Sequence, residues 1–152
     1  MADVDQVLLC AELMQHVAEV HRRAAAQALD HHGVGESAAG LVWLLGTRGP
    51  TSMGSVAQFL ACDPSNVTLL AASLEGLGLA QRVADPADGR RRLVQLTARG
   101  RQAHTDMVEA VHTASPLTGL TARDMAALTA ALQPLVDTSL RPPASFDACV
   151  QP

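Results

Sequence analysis

A chain of 152 residues with 48% apolar content is sized for one domain, or one compact domain with helical extensions. With two Phe, one Trp and no Tyr, its core must be aliphatic and alanine-rich. No run of 18 apolar residues occurs, so no membrane span is expected, and the acidic opening MADVDQVLLCAEL does not read as a signal peptide. The formal charge of −4 is unevenly spread: Arg82, Arg90, Arg91, Arg92, Arg99 and Arg101 face only Asp85 and Asp88 within residues 82–101, while the rest of the chain is acidic. A cluster of this kind is most often a solvated face, so its neighbours must decide its role.

In chain order, residues 4–31 predict a long helix. Val7, Leu8, Ala11, Met14, Val17, Ala18, His21, Ala25 and Leu29 recur at three- and four-residue spacing, and Gly33 and Gly35 stop it. An apolar stripe that long in a short chain calls for something to pack on, with a partner subunit as the candidate. Residues 37–46 predict a short buried helix and TRGPTS a loop. Ser52 then caps a short helix over 53–61. After a tight turn, Asp63 caps a helix over 64–77 that has Pro64 at its first position, where the missing N–H costs nothing. Val67, Leu70, Ala71, Leu74 and Leu77 form its inward stripe, and Gly76 and Gly78 end it. LAQRVA and RRLVQLT are strand candidates around a Pro-Ala-Asp-Gly reversal. Thr97 caps the helix beginning at Ala98, TASPLTG breaks it, and Thr121 with Asp124 makes a capping box for a last helix that Pro134 should kink or split. The tail, 142–152, reads as frayed or loosely docked and flexible.

Helix, tight turn, helix, strand, basic turn, strand is the order of a winged helix-turn-helix. The expected fold class is therefore mainly α with a small β-hairpin wing, flanked by N- and C-terminal helices. Residues 35–115 form the DNA-binding domain in this reading, and 1–34 with 116–141 form dimerisation helices. In such a fold the second helix enters the major groove and the hairpin reaches toward the neighbouring minor groove. That supplies a reason for arginines on one turn of an acidic chain: duplex DNA is a dense line of negative charge. At 100° per residue, Ser65, Thr68, Leu69, Ala72 and Gly76 lie opposite the apolar stripe, a small uncharged face that lets backbone approach DNA. Ser65 and Thr68 can bond bases or phosphates, and Asn66, to one side, suits a phosphate. The competing reading is that these polar residues only cap the helix.

The segment MGSVAQFLACDPSNVTLLAASLEGLGLAQRVADPADGRRRLVQLTARG, with its PSNVT, LEGLGL and Asp-x-Arg wing closed by Leu96-Thr97, resembles the MarR family of transcriptional regulators. The resemblance implies a homodimer with intertwined terminal helices, a pseudo-palindromic double-stranded operator and usually repression. It also implies a small-molecule effector, aromatic or amphipathic, bound between the dimerisation and DNA-binding regions, near Trp43. It assigns minor-groove insertion to Arg90 and its orientation to Asp88, with Arg91 and Arg92 adding positive charge. Many relatives carry basic residues on the recognition helix where this chain has Leu69 and Ser73. Guanine readout by arginine is therefore not expected from that helix. Contact of Leu69 with a thymine methyl, or reliance on the wing and DNA shape, are the alternatives.

Other readings are weighed on the same residues. Cys10 lies roughly where hydroperoxide-sensing relatives keep a reactive cysteine. Here Asp5 and Glu12 are near in sequence and no tyrosine is present to support a thiolate, so a structural cysteine is expected over a redox-sensing repressor. Cys10, Cys62 and Cys149 form no C-x-x-C, against a zinc ribbon or a disulfide framework, and fit a reduced cytoplasmic setting. For Cys62, in the turn between the two helices, a small packing role is expected over a sensor. The six histidines contain no H-x-x-x-H pair, so neither a metal nor another cofactor is expected. No G-x-S-x-G, P-loop or dinucleotide fingerprint suggests an enzyme. The remaining rival is a winged-helix module that binds protein in place of DNA.

Overall fold

Short-range chemistry closes most helices where the sequence places a stop or a start. The computed structural model describes residues 3–139. Helix α1 (Val4–Asp30) ends at Gly33, whose φ of +76° is open to glycine. Its N–H reaches the Asp30 carbonyl at 3.0 Å and Val34 N–H reaches Leu29 at 3.1 Å, with both Leu29 and Val34 buried. This is a Schellman closure with its apolar contact. Helix α2 (Glu36–Arg48) is longer than the sequence suggested. It is followed by β1 (Thr51–Ser52), α3 (Met53–Leu60) and α4 (Pro64–Gly76). Ser52 accepts the Ser55 N–H at 3.2 Å, and Asp63 accepts the Ser65 N–H at 2.8 Å, so both expected N-caps form.

The loop expected over TRGPTS contains β1, a two-residue strand too short to carry an alternating pattern. It adds to the hairpin of β2 (Ala80–Ala84) and β3 (Arg92–Leu96), giving an antiparallel sheet in the order β1-β3-β2. Thr51 lies opposite Val94, and Ala80 opposite Leu96. Val94 and Leu96 turn into the core beside Leu41, Val56, Val67 and Leu74. This mainly helical architecture with one small sheet is a winged helix-turn-helix.

Helix α5 (Ala98–Ala114) begins against the end of α4. Three consecutive carbonyls leaving α4 are all bonded by its cap and first turn. Arg99 Nη1 donates to Leu77 at 3.1 Å, Thr97 Oγ1 to Gly78 at 2.7 Å, and Thr97 N–H to Leu79 at 2.9 Å. Thr97 also caps α5 by accepting the Gly100 N–H at 3.1 Å. Further along, α5 packs lengthwise on α1. His32 Nε2 and Asp106 Oδ2, 2.7 Å apart, join the end of α1 to it. Hydrogen bonds from Gln102 and then His32 hold the Asp106 carboxyl below its usual range.

A 3-10 turn (Pro116–Gly119) leads to α6 (Ala122–Ser139). Thr121 accepts the Asp124 N–H at 3.2 Å, while its hydroxyl donates to the Asp124 carboxylate at 2.7 Å. The capping pair thus closes through side chains as well as backbone. Pro134 lies inside α6 without splitting it, contrary to that part of the expectation. A proline removes one backbone donor, and the rest of the helix continues past it. The expectation for 142–152 falls outside the described residues.

Cys62 is half-buried and packs against the core, as expected. Cys10 is the free cysteine among the described residues and is exposed.

The junction between α4 and α5 admits no side chain at position 100. A Cβ on Gly100 would run into the Leu79 carbonyl oxygen and lie 3.2 Å from Leu96 Cβ. Gly100→Ala is expected to destabilise the fold by roughly 1–3 kcal/mol, as overpacking does. Gly76→Ala, where a Cβ meets open space, should be neutral or stabilising by up to about 1 kcal/mol. Chemical denaturation followed by circular dichroism separates the two, and equal midpoints would refute the close-approach argument.

Candidate nucleic-acid interface

Two surfaces of opposite character lie next to each other in the fold. The first is the outward face of α4. Val67, Leu70, Ala71 and Leu74 are buried, which turns Ser65, Thr68, Leu69, Ala72, Ser73 and Gly76 to solvent. The helical-wheel reading of residues 64–77 therefore holds, and Asn66 is half-buried to one side. The hydroxyls on this face have internal partners at the start of the helix, of the kind the competing capping reading describes. Ser65 Oγ donates to Asp63 Oδ1 at 2.5 Å, and Thr68 Oγ1 donates to the Pro64 carbonyl at 2.9 Å. Position explains both: Ser65 follows the N-cap closely, and Thr68 is four residues beyond Pro64, within reach of its carbonyl. The Ser65 hydroxyl and N–H together hold the Asp63 carboxyl below its usual range. Both hydroxyl oxygens keep lone pairs for a partner.

The second surface is the wing, the turn between β2 and β3. Asp85 accepts the Ala87 N–H at 2.9 Å, and Asp88 accepts the Arg90 N–H at 3.1 Å. Backbone bonds from Asp88 N–H to Asp85, Arg91 N–H to Asp88 and Asp85 N–H to Arg91 complete the turn. The two aspartates are thus spent on shaping the loop, as short polar side chains in turns commonly are. Asp88 meets the main chain of Arg90; the bond it makes is to the N–H and not to the guanidinium.

The six arginines of residues 82–101 divide into two sets. Arg82 pairs with Glu75 at 3.2 Å, Arg99 bonds the Leu77 carbonyl, and Arg101 bonds the Leu96 carbonyl at 3.2 Å. Arg90, Arg91 and Arg92 are exposed, and no ion pair involving them is found among the described residues. The arginines of this stretch whose side chains are not bonded into the fold among the described residues are therefore grouped at the wing, Arg90 and Arg91 in its turn and Arg92 at the start of β3. A site built this way can hold a polyanion: uncompensated guanidinium groups on a shaped loop beside a helix face low enough for close approach.

Trp43 stands apart from both surfaces, on α2 and 41% exposed. Its ring lies 6.0 Å from that of His104 on α5, tilted by 51°. His104 Nε2 is buried with no hydrogen-bond partner among the described residues, and burial lowers the His104 pKa. The open groove of about 580 Å³ between α1 and α5 is lined by other residues, including Gln27, His31 and Glu109, and does not include Trp43. Among the described residues no group of three metal-ligating side chains comes together, and no helix is long and apolar enough to cross a membrane.

A family model for the MarR family matches residues 37–91, from α2 into the wing. No curated protein matches the chain. Among solved structures, CouR from Rhodococcus jostii RHA1 bound to p-coumaroyl-CoA is 25% identical, with a TM-score of 0.67 over 81% of this chain and 88% of that one. A MarR transcriptional regulator from Methanosarcina mazei Go1 is 16% identical, with a TM-score of 0.72 over 88% and 97%. A MarR-type protein from Listeria monocytogenes complexed with a 26mer DNA is 14% identical, with a TM-score of 0.74 over 93% and 91%. The last two likenesses concern the fold.

The half-buried imidazole of His104, its Nε2 fully covered, makes stability depend on pH. Its folded pKa lies below the reference of 6.5, so the unfolded chain takes up its proton first as pH falls. The fold loses stability as pH drops through 6.5 and toward the folded pKa. Denaturation midpoints at pH 7.5 and 5 should therefore differ more for the wild type than for His104→Gln. An unchanged difference in the variant would mean that His104 does not carry the effect.

Proposed function

We propose that this chain is a MarR-family, sequence-specific DNA-binding transcription regulator, a repressor acting as a homodimer on a pseudo-palindromic operator; the match of the MarR family model to residues 37–91 supports the reading. The observation that carries the reading is the division of the arginines: three are used inside the fold, and Arg90, Arg91 and Arg92 are left at the wing beside the exposed face of α4. In this reading Ser65, Asn66, Thr68 and Leu69 meet the major groove and its phosphates, while Arg90 enters the minor groove. Asp88 serves Arg90 through the backbone bond that fixes its Cα. The complex of the Listeria monocytogenes protein with DNA is consistent with this use of the fold.

The dimer is supported by unpartnered apolar surface. The first half of α1 exposes Val7, Leu8, Leu9, Leu13 and Met14, and α6 has no extensive packing on any other element among the described residues. Residues 1–34 and 116–141 are accordingly assigned to assembly and 35–115 to DNA binding. A second copy covering these faces removes apolar area from water.

An aromatic or amphipathic organic effector is placed beside Trp43. A half-exposed indole offers a stacking face, the kind of apolar surface that lines small-molecule sites. CouR, at 25% identity, was crystallised with p-coumaroyl-CoA, whose acyl group is aromatic. Compounds that release the chain from DNA should alter Trp43 emission, which is unambiguous because the chain has one Trp. Releasing compounds that leave the emission unchanged would move the effector elsewhere.

Arg90→Ala should weaken binding to the gene's own upstream duplex by roughly 1–3 kcal/mol and lower the salt slope by about one counterion. Asp88→Ala should weaken it too, although simple charge repulsion predicts the opposite. Fluorescence anisotropy at several salt concentrations tests both, and its stoichiometry tests the dimer. Asp88→Ala binding as tightly as wild type refutes the positioning role, one chain per duplex refutes the dimer, and no binding at all refutes the regulator.

A further inference from the structure

We propose that Leu69 reads the C5-methyl group of thymine, making the recognition helix a thymine-selecting surface; this rests on the DNA-binding reading above. Leu69 is 69% exposed in the middle of the outward face of α4. A single exposed leucine is ordinary on a protein surface, but its surroundings are specific here. The residues beside it on that face, Ser65, Thr68, Ala72 and Ser73, are all small, so Leu69 is the largest side chain there. The charged residue of α4, Glu75, is half-buried and paired with Arg82. The hydroxyl protons of Ser65 and Thr68 are directed back into the helix.

Guanine presents two acceptors in the major groove, O6 and N7, and its usual partner is an arginine or lysine fork. The face of α4 has neither residue. Thymine presents the one apolar group of the major groove, its C5-methyl, and cytosine has a hydrogen in that place. An aliphatic side chain gains by covering a methyl and gains little from any other base edge. The oxygen lone pairs of Ser65 and Thr68 suit the N6 amino group of adenine, so the polar part of the face agrees with A·T pairs as well.

The experiment replaces thymine with uracil, which pairs identically and lacks only the methyl. The upstream duplex is synthesised with thymidine or with deoxyuridine throughout, and full-length protein is titrated against each. The wild type should bind the uracil duplex about fourfold less tightly per half-site, on the order of tenfold for two half-sites. Leu69→Ala, a change at an exposed position, should bind the thymine duplex with a similar loss and not distinguish the two duplexes. Wild type binding both duplexes equally overturns the inference and leaves the regulator standing. An equal loss on uracil for wild type and Leu69→Ala also overturns it, because the methyl then acts through DNA shape or another residue. Failure to bind either duplex overturns the regulator, and the inference with it.

Discussion

The end of the recognition helix is held by three hydrogen bonds to consecutive carbonyls, and the geometry of the remaining parts follows from them. Leu77, Gly78 and Leu79 each give their carbonyl to Arg99 or Thr97. Main-chain acceptors left bare at a helix end are costly when water is excluded. Satisfying them from the next helix fixes the spacing and angle between α4 and α5. Because Ala80 and Leu96 are opposed in the sheet immediately beyond, the hairpin takes its direction from the same junction. Gly100 is the steric counterpart of these bonds, since only a residue without a side chain lets the first turn of α5 come so near.

That junction also explains the economy of charge in an acidic chain. Arg99 and Arg101 hydrogen-bond carbonyls at the ends of α4 and β3, and Arg82 offsets Glu75. These side chains belong to the architecture, although in sequence they merge with the wing into one basic stretch. What remains at the wing is a compact cationic group whose loop is shaped by its own aspartates. Acid and base are close together there without neutralising one another, because the carboxylates accept from peptide N–H groups.

The parts of this fold that were legible in the sequence are those set by local chemistry. Ser52, Asp63, Thr97 and Thr121 announce helix starts through hydroxyl or carboxylate caps, and Gly33 and Gly78 announce stops through positive φ. The outward face of α4 followed from a fixed angular step. Pairings across space were not legible. β1 has two residues and exists only through β3, and the fates of Arg82, Arg99 and Arg101 depend on where another element's carbonyl or carboxylate falls. The internal engagement of Ser65 and Thr68 agrees with the competing capping reading: a serine beside a capping aspartate and a threonine four residues past a proline are patterns of short range. Which of the wing and helix residues touch a base is a property of a complex and is encoded in neither the caps nor the periodicity.

Helix α5 is clamped at its first turn to the recognition helix and wing, and its remaining length lies along α1. Its geometry is that of a lever whose short arm lies at the end of α4. Its 17 residues span roughly 25 Å, so a tilt of about 5° displaces one end by about 2 Å relative to the other. A displacement of that size is comparable to the tolerance of a hydrogen bond or of a side chain seated in a groove. A small adjustment along the α1 seam, or beside His104 midway along the lever, would on this geometry shift the end of α4 by a comparable amount, with no unfolding required.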